Sequence, residues 1–149
     1  MPQPTIRRYH PNDKPTLINL LRLNSPDYFA PEEEKEFDHY LDHEIEDYFV
    51  ICMDDLPVGC GGINYEENNT SGIISWDMIH PDFQKQSLGS KLLQFRIDIL
   101  KTIPDIQRII VRTSQLTDRY YEKMGFKLIN VVENHWADGY HLYLMEYSK

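Results

Sequence analysis

WDMIHPDFQKQSLGSKLL, residues 76–93, is the stretch of sequence that decides the fold. A short apolar run typical of a buried strand leads into it: Ile73, Ile74, Trp76, Met78 and Ile79. Pro81 ends that strand, because proline cannot donate a hydrogen bond to a central ladder. Further on, one face of a predicted helix carries apolar residues at helical spacing: Leu88, Leu92, Phe95, Ile99 and Ile103. The pattern therefore predicts a strand, a loop and a helix in direct succession.

The loop between this strand and helix has the properties of a phosphate-binding turn. It consists of Gln84, Lys85, Gln86, Ser87, Leu88 and Gly89. The backbone N–H groups at the start of a helix have no intrahelical partner, and the positive end of the helix dipole lies there as well. A strand–loop–helix start with small residues is therefore suited to bind a pyrophosphate group.

This stretch resembles motif A of the GNAT superfamily, the acyl-CoA-dependent N-acyltransferases. The family pattern is Gln or Arg, two residues, Gly, one residue, then Gly or Ala. Gln84 and Gly89 match it, and Ser87 stands where the family has its first Gly. The hexapeptide alone would favour an ordinary turn between a strand and a helix, so the resemblance needs a second motif.

Residues 121–126, YEKMGF, resemble motif B of the same family, whose usual form is Tyr-Glu-Lys, one residue, Gly-Phe. They follow motif A by about 30 residues, as in the family. A simpler interpretation makes Gly125 a helix C-cap and Phe126 a core residue. That interpretation does not explain why both motifs occur together.

Length, composition and charge narrow the class of protein. The 149 residues fit one domain, and 41% hydrophobic and 26% charged residues are typical of a soluble globular protein. The net charge of −9 argues against a nucleic-acid partner, since phosphate binding needs a basic face. No apolar run approaches the roughly 20 residues of a membrane span, and the N-terminus lacks the apolar region of a signal peptide. We expect a single cytoplasmic domain over residues 1–149, with no nucleic-acid or membrane partner.

The predicted elements follow the order β α α β β β α β α β β. This order predicts an α/β fold with a mixed, mostly antiparallel sheet, a central βαβ crossover and flanking helices, and the resemblance implies the same GNAT-like fold. The second helix is predicted from Pro31, with apolar residues at helical spacing: Phe37, Tyr40, Leu41, Ile45 and Tyr48. His39 and His43 on this helix can share a metal, but surface histidines are the simpler interpretation, and we predict no metal site.

The resemblance also implies a site for acetyl-CoA. In the family a bulge separates the motif A strand from the next strand, which here places the main chain of Met78 and Ile79 along the pantetheine arm. Tyr121 matches the tyrosine that hydrogen-bonds or protonates the departing sulfur. Ser114 and Gln115 lie where members often carry a cofactor-binding Asn, and we take Ser114 as the contact. The implied pyrophosphate-binding residues are Gln84, Lys85, Gln86, Ser87, Leu88, Gly89 and Ser90.

The sequence does not identify a general base. A lysine-like amine with a pKa of about 10.4 is neutral in roughly one molecule per thousand near pH 7, so a base or a water chain must take its proton. Asp77 is the first candidate, although strand alternation puts it on the face of Ser75 and Ile79. Other candidates by region are Glu66, Glu133 and His135, and water alone is a further alternative.

The resemblance implies an N-acetyltransferase that moves acetyl from acetyl-CoA to a primary amine by direct attack in a ternary complex. It also implies that a small-molecule or peptide amine binds the first two helices and the last hairpin. The aromatic residues there also suit a homodimer interface: Tyr28, Phe29, Tyr40, Tyr48, Trp136 and Tyr140. One alternative is a catalytically weak or inactive acyl-CoA-binding module. Another is a globular α/β domain with chance motif matches.

Overall fold

The computed structural model describes residues 3–148, except for the side chain of Lys85. The strands are β1 (Thr5–Arg8), β2 (Asp47–Met53), β3 (Leu56–Glu66), β4 (Ser71–Ile79), β5 (Arg108–Thr113), β6 (Phe126–Ala137) and β7 (Tyr140–Tyr147). The helices are α1 (Lys14–Leu23), α2 (Glu33–His43), α3 (Leu88–Lys101) and α4 (Asp118–Lys123), with 3-10 turns at Pro11–Asp13 and Pro81–Gln86.

The strands form a seven-stranded sheet in the order β1-β2-β3-β4-β5-β7-β6. β4 and β5 are parallel and joined by α3 as a crossover, while the other neighbouring pairs in the described chain are antiparallel. The predicted fold class and the predicted order of elements are therefore confirmed.

Apolar side chains cover both faces of the sheet. One core lies under α3 and α4 and includes Leu92, Leu93, Ile97, Val111 and Phe126. The other lies under α1 and α2 and includes Leu17, Leu21, Phe37, Tyr40 and Tyr48. None of the helices within residues 3–148 is both long and apolar enough to cross a membrane.

β4 separates from β5 halfway along its length. Its ladder with β5 runs only from Ser71 to Ile74. Just beyond, the register between β4 and β3 shifts, and Trp76 takes a left-handed backbone conformation with φ 49°. A bulge of this kind bends a strand and increases its twist. The separation expected from the family resemblance is therefore present, and it leaves an opening between the two strands.

The buried face of α3 differs from the predicted one. Phe95 is 36% exposed, and Ile103 lies beyond the end of the helix at Lys101. The buried residues are Leu88, Leu92, Leu93, Arg96, Ile97 and Leu100. The prediction of Phe95 as a core residue was wrong because, at about 100° per residue, it falls at the margin of the buried arc.

The second helix is shorter than predicted. α2 ends at His43, so Ile45 lies beyond it and Tyr48 belongs to β2. The Tyr48 hydroxyl donates a hydrogen bond to the Trp76 carbonyl at 2.8 Å. Tyr48 therefore ties the second strand to the bulge of β4 instead of extending a helix.

The corrected face of α3 leads to a stability prediction. Replacing Leu93, which is 0% exposed, with Ala should lower the free energy of unfolding by about 2–5 kcal/mol. Phe95→Ala should cost clearly less, because that ring is partly in solvent and contacts Phe49 at its edge with centroids 5.1 Å apart. Urea unfolding of both variants provides the comparison. Equal losses would mean that the predicted face was right after all.

Candidate active site

A cavity of about 510 Å³ opens where β4 and β5 separate. Its walls come from the second half of β4, the end of β5 and the starts of α3 and α4. The loop between α1 and α2 and the β6–β7 hairpin close its far end, through Phe29, Trp136 and Tyr140. The cavity therefore joins the two motifs identified in the sequence.

The predicted cofactor-binding residues divide into two groups. Met78, Ile79, Gln84, Ser87, Gly89, Ser90, Ser114 and Tyr121 all line the cavity. Gln86 is exposed and outside it, and the Leu88 side chain is 2% exposed within the core. These two residues can therefore contribute main-chain groups, not side chains, to a ligand in the cavity. For Lys85 the predicted side-chain role lies outside what the structure describes.

The start of α3 is shaped by one unusual backbone conformation. Ser87 has φ 62° and ψ 19°, which is the left-handed region that glycine adopts most readily. The family's Gly at this position is explained by that conformation. Ser87 reaches it at a cost of about 1–2 kcal/mol for a residue with a Cβ.

The Gln84 side chain points toward the end of β4 and not toward the start of α3. Its amide donates to Asn24 Oδ1 at 2.9 Å and to the Ile79 carbonyl at 3.1 Å. Asn24 is 2% exposed and donates to the same Ile79 carbonyl at 3.1 Å. The Gln of motif A therefore fastens the loop to the end of β4 and to α1, which positions the main chain around it.

A buried network of three side chains forms the floor of the cavity. Arg96 is 1% exposed, and its Nη2 lies 2.5 Å from Asp77 Oδ1. The same guanidinium donates from Nη1 to the Gly62 carbonyl at 3.0 Å. The Tyr121 hydroxyl donates to Asp77 Oδ2 at 2.7 Å. The bulge at Trp76 turns Asp77 into the cavity, and both of its carboxylate oxygens are engaged there.

The two adjacent tyrosines of α4 have different surroundings. Burial, followed by the charge of Asp77, raises the pKa of Tyr121 well above its ordinary value. The Tyr120 hydroxyl is buried and has no hydrogen-bond partner within residues 3–148. Burial and then the charge of Asp77 raise the pKa of Tyr120 to about 12. A Cβ placed on Gly89 would lie 3.4 Å from its oxygen, so this free hydroxyl faces the start of α3.

The other base candidates from the sequence do not line the cavity. Glu66 forms a two-point ion pair with Arg112, with distances of 2.9 and 3.0 Å. Glu133 and His135 are exposed on β6. The structure brings a different carboxylate to the cavity, that of Glu33 in the first turn of α2.

Glu33, Arg96 and Arg112 are the charged cavity residues that the sequence reasoning missed. Glu33 stands in the acidic run at residues 32–34, and its spacing from Ala30 was the available signal, because a Glu can accept a hydrogen bond from the main-chain N–H three residues before it. Arg96 was the single charged residue on the Leu92–Leu100 row of α3, which is the signal that could have identified it.

The far end of the cavity is aromatic. Phe29 and Trp76 stack with centroids 6.1 Å apart and planes 17° apart. The Trp136 indole donates to the Thr113 carbonyl at 3.0 Å, and the Tyr140 hydroxyl donates to the Pro26 carbonyl at 2.9 Å. Tyr28 also lines this chamber. These bonds hold the rings in place, so the chamber has fixed apolar walls.

The remaining sequence candidates lie elsewhere. Tyr40 and Tyr48 are 4% and 2% exposed in the core under α1 and α2, outside the cavity. His39 and His43 are exposed on α2 with ring centroids 4.7 Å apart, and His39 Nε2 lies 3.2 Å from Glu44 Oε2. Residues 3–148 contain no cluster of three or more potential metal ligands.

Comparison with known proteins places these features in a family. The profile of the Acetyltransferase (GNAT) family matches residues 17–126. The amino-acid acetyltransferase of Pasteurella multocida is 25% identical over 129 residues, which are 87% of this chain and 28% of that protein. The enzyme of the same name from Buchnera aphidicola is 24% identical over 127 residues, which are 85% of this chain and 27% of that protein. The chain thus spans little more than a quarter of the length of these relatives.

Solved structures share the fold over nearly the whole chain. Ard1 from Thermoplasma volcanium has a TM-score of 0.79 at 18% identity and covers 96% of this chain and 95% of its own. N-acetylglutamate synthase from Neisseria gonorrhoeae, solved with coenzyme A and N-acetyl-glutamate, has a TM-score of 0.73 at 20% identity. That match covers 99% of this chain and 36% of the synthase. Because the family profile covers most of the chain and both motifs line one cavity, this chain belongs to the GNAT acetyltransferase family.

Proposed function

We propose that this chain is an N-acetyltransferase that moves acetyl from acetyl-CoA to a primary amine by direct attack in a ternary complex. One observation carries the proposal. A single cavity extends from the start of α3, past the gap between β4 and β5, to the aromatic chamber beside Glu33. A donor held at the first end and a small-molecule or peptide amine held at the second would meet at the gap.

The start of α3 fits the phosphate groups of coenzyme A. The helix has 14 residues, and the Ser87 side chain does not cap its N-terminus. Its first N–H groups and its dipole can therefore bind an anion despite the net charge of −9. We assign this role to the main chain of Gln84, Lys85, Gln86, Ser87, Leu88 and Gly89 and to the Ser90 hydroxyl.

The open edge of β4 fits the pantetheine arm. Met78 and Ile79 pair with β3 on one side, but the side facing β5 has no ladder partner beyond Ile74. Main-chain groups on that side can bond the amides of the arm. Ser114, buried at the end of β5, lines the opposite wall and is proposed as a further contact.

The thioester of acetyl-CoA supplies the activated acyl carbon, and the residues of this chain handle the proton at the sulfur. The raised pKa of Tyr121 keeps its hydroxyl protonated. Complete proton transfer to a thiolate with a pKa of about 8.5 would be uphill, so we propose that Tyr121 donates a hydrogen bond to the departing sulfur. Asp77, which accepts the Tyr121 hydrogen bond in the structure, orients that hydroxyl.

The phosphate site can be tested by adding a charge at the start of α3. Ser90→Asp should weaken acetyl-CoA binding at least about tenfold, because the new carboxylate repels the phosphates within a Debye length of roughly 8 Å. The same change should leave the free protein equally or slightly more stable, since an acidic residue favours a helix N-terminus. Calorimetric titration and thermal unfolding measure the two effects.

Thr16→Asp is the matched control for this experiment. It adds the same charge to the first turn of α1, away from the cavity lining. It should leave acetyl-CoA affinity unchanged. Equal loss of affinity in both variants would contradict a phosphate site at α3.

Substitutions of Tyr120 and Tyr121 should affect different steps, one the binding of acetyl-CoA and the other kcat. Tyr121→Phe should lower kcat about 10²-fold or more, with unchanged acetyl-CoA affinity, because it removes a donor that acts in the transition state. Tyr120→Phe should instead weaken acetyl-CoA binding, because its free hydroxyl faces the start of α3. Steady-state kinetics and calorimetric titration of both variants give the test. The reverse pattern would assign the sulfur contact to Tyr120.

We also propose that residues 1–149 act as one cytoplasmic catalytic domain. The location is supported by Cys52 and Cys60, which are both buried as free thiols. Burial raises the pKa of Cys60 to about 12, so its thiolate is scarce and the residue is unreactive.

The edge strand β6 is the surface that we propose for a homodimer. β6 lies at one end of the sheet and has 12 residues, and an edge strand offers unpaired main-chain groups to another strand. Its exposed apolar residues are Leu128, Ile129, Val131 and Val132. Sedimentation velocity should show a dimer that Leu128→Glu with Ile129→Glu converts to monomer. A wild-type monomer at high concentration would contradict this.

A further inference from the structure

Glu33 is a buried carboxyl group that faces the acceptor end of the cavity. Glu33 as a whole is 6% exposed, and it lines the cavity together with Tyr28, Phe29, Trp76 and Tyr140. Its Oε2 accepts the Ala30 N–H at 2.8 Å. Its Oε1 accepts no hydrogen bond within residues 3–148, so half of the carboxyl group is free.

Capping the turn before α2 does not require a carboxylate. The Ala30 N–H needs one oxygen, which a glutamine amide supplies equally well. A carboxylate in this apolar place has a cost, because burial is the main cause that raises the pKa of Glu33 to about 7. The Ala30 N–H opposes that shift only in part, and Glu32 and Glu36 add to it. A titratable carboxyl group in such a place, with one oxygen facing the cavity, points to a partner that is absent from the folded chain alone.

We propose that Glu33 is the residue that binds the ammonium group of the acceptor and takes its proton, and that the acceptor carries this group on an apolar, aromatic-sized body. This inference rests on the proposed N-acetyltransferase function. The free Oε1 supplies the acceptor for an ammonium N–H, and the fixed rings of the chamber supply apolar walls for the rest of the molecule.

The protons and electrons balance in this scheme. The ammonium gives one proton to the Glu33 carboxylate and becomes a neutral amine. The nitrogen lone pair forms the C–N bond as the C–S bond breaks, and the sulfur leaves with the electron pair. The second proton lost from nitrogen ends on sulfur, and Glu33 releases its proton to solvent. The net products are the amide, coenzyme A thiol and one proton.

Among the charged groups that line the cavity, Glu33 is the carboxylate that has no cationic partner within residues 3–148. On α2 its neighbours are Glu32 and Glu36. The other charged and titratable residues that line the cavity are Asp77, Arg96, Arg112, Cys60, Tyr28, Tyr120, Tyr121 and Tyr140. Asp77 is engaged by Arg96 and Tyr121, and Arg112 is engaged by Glu66.

The test compares the wild type with Glu33→Gln and Glu32→Gln, using phenethylamine and tyramine as probes and measuring the thiol released from acetyl-CoA. Glu33→Gln keeps the Ala30 hydrogen bond and removes the base. Glu32→Gln removes a neighbouring exposed charge and is the matched control. Acetyl-CoA binding is measured separately by thermal shift, so that the donor half of the proposed function is tested by itself.

The wild-type kcat/KM should rise with pH through about 7 and then level off, because it follows ionisation of Glu33 in the free enzyme. Glu33→Gln should lower kcat/KM about 10²- to 10³-fold at pH 8 and lose this rise, with unchanged acetyl-CoA binding. Glu32→Gln should keep both the rate and the rise. A purely structural role for Glu33 would not move the pH profile.

Stability gives a readout that needs no turnover. The folded-state pKa of Glu33 is raised, so the folded protein binds this proton more tightly than the unfolded chain does. The wild type should therefore lose stability relative to Glu33→Gln as pH rises from 4.5 to about 7. A difference in Tm that stays constant with pH would show that Glu33 ionises normally, and this would overturn its role as the base.

The remaining outcomes are also decisive. Glu33→Gln with the rate and pH profile of the wild type would overturn the inference. Acetyl-CoA binding without turnover of either probe would overturn the aromatic-amine assignment while leaving the proposed function in place. Failure of the wild type to bind acetyl-CoA would overturn the proposed function and this inference together.

Discussion

The ion pair between Asp77 and Arg96 holds the active-site region together. Asp77 lies on β4 just after the bulge, and Arg96 comes from the buried face of α3. The same guanidinium bonds the Gly62 carbonyl on β3, and the same carboxylate accepts the Tyr121 hydroxyl from α4. Four elements therefore meet at one pair of opposite charges. Removing Asp77 would leave the Arg96 charge buried without a counter-charge, which commonly costs several kcal/mol, about 3–5.

This pair also explains a glycine in β3. A Cβ at Gly61 would overlap both the Asp77 carboxylate and the Arg96 guanidinium. Only a residue without a side chain leaves room for the pair beneath the bulge. The Gly-rich run in β3 is thus the counterpart of the bulge in β4, and together they allow β4 to bend away from β5.

The sequence predicted the order of elements and the location of both motifs, because these depend on local patterns. Apolar periodicity and turn residues are visible in any single stretch, and GNAT-like spacing between motifs reflects the crossover that joins them. What could not be predicted depends on contacts between distant residues. The direction of the Asp77 side chain was predicted from strand alternation. The left-handed conformation of Trp76 interrupts that alternation, so the direction is visible only in the structure. Arg96 lies 19 positions further along the chain than Asp77, and nothing local in either stretch shows that they pair.

The two carboxylates of the cavity illustrate how surroundings divide roles between chemically similar groups. One Asp77 oxygen is ion-paired with the Arg96 guanidinium, and the other accepts the Tyr121 hydrogen bond. Burial against apolar walls, with a smaller contribution from its two acidic neighbours, raises the pKa of Glu33 to about 7, and the Ala30 N–H opposes this shift only in part. A group with such a pKa exchanges a proton readily near neutral pH. These surroundings are what support the proposed proton-accepting role of Glu33, which keeps one oxygen without a partner in the part of the chain that the structure describes.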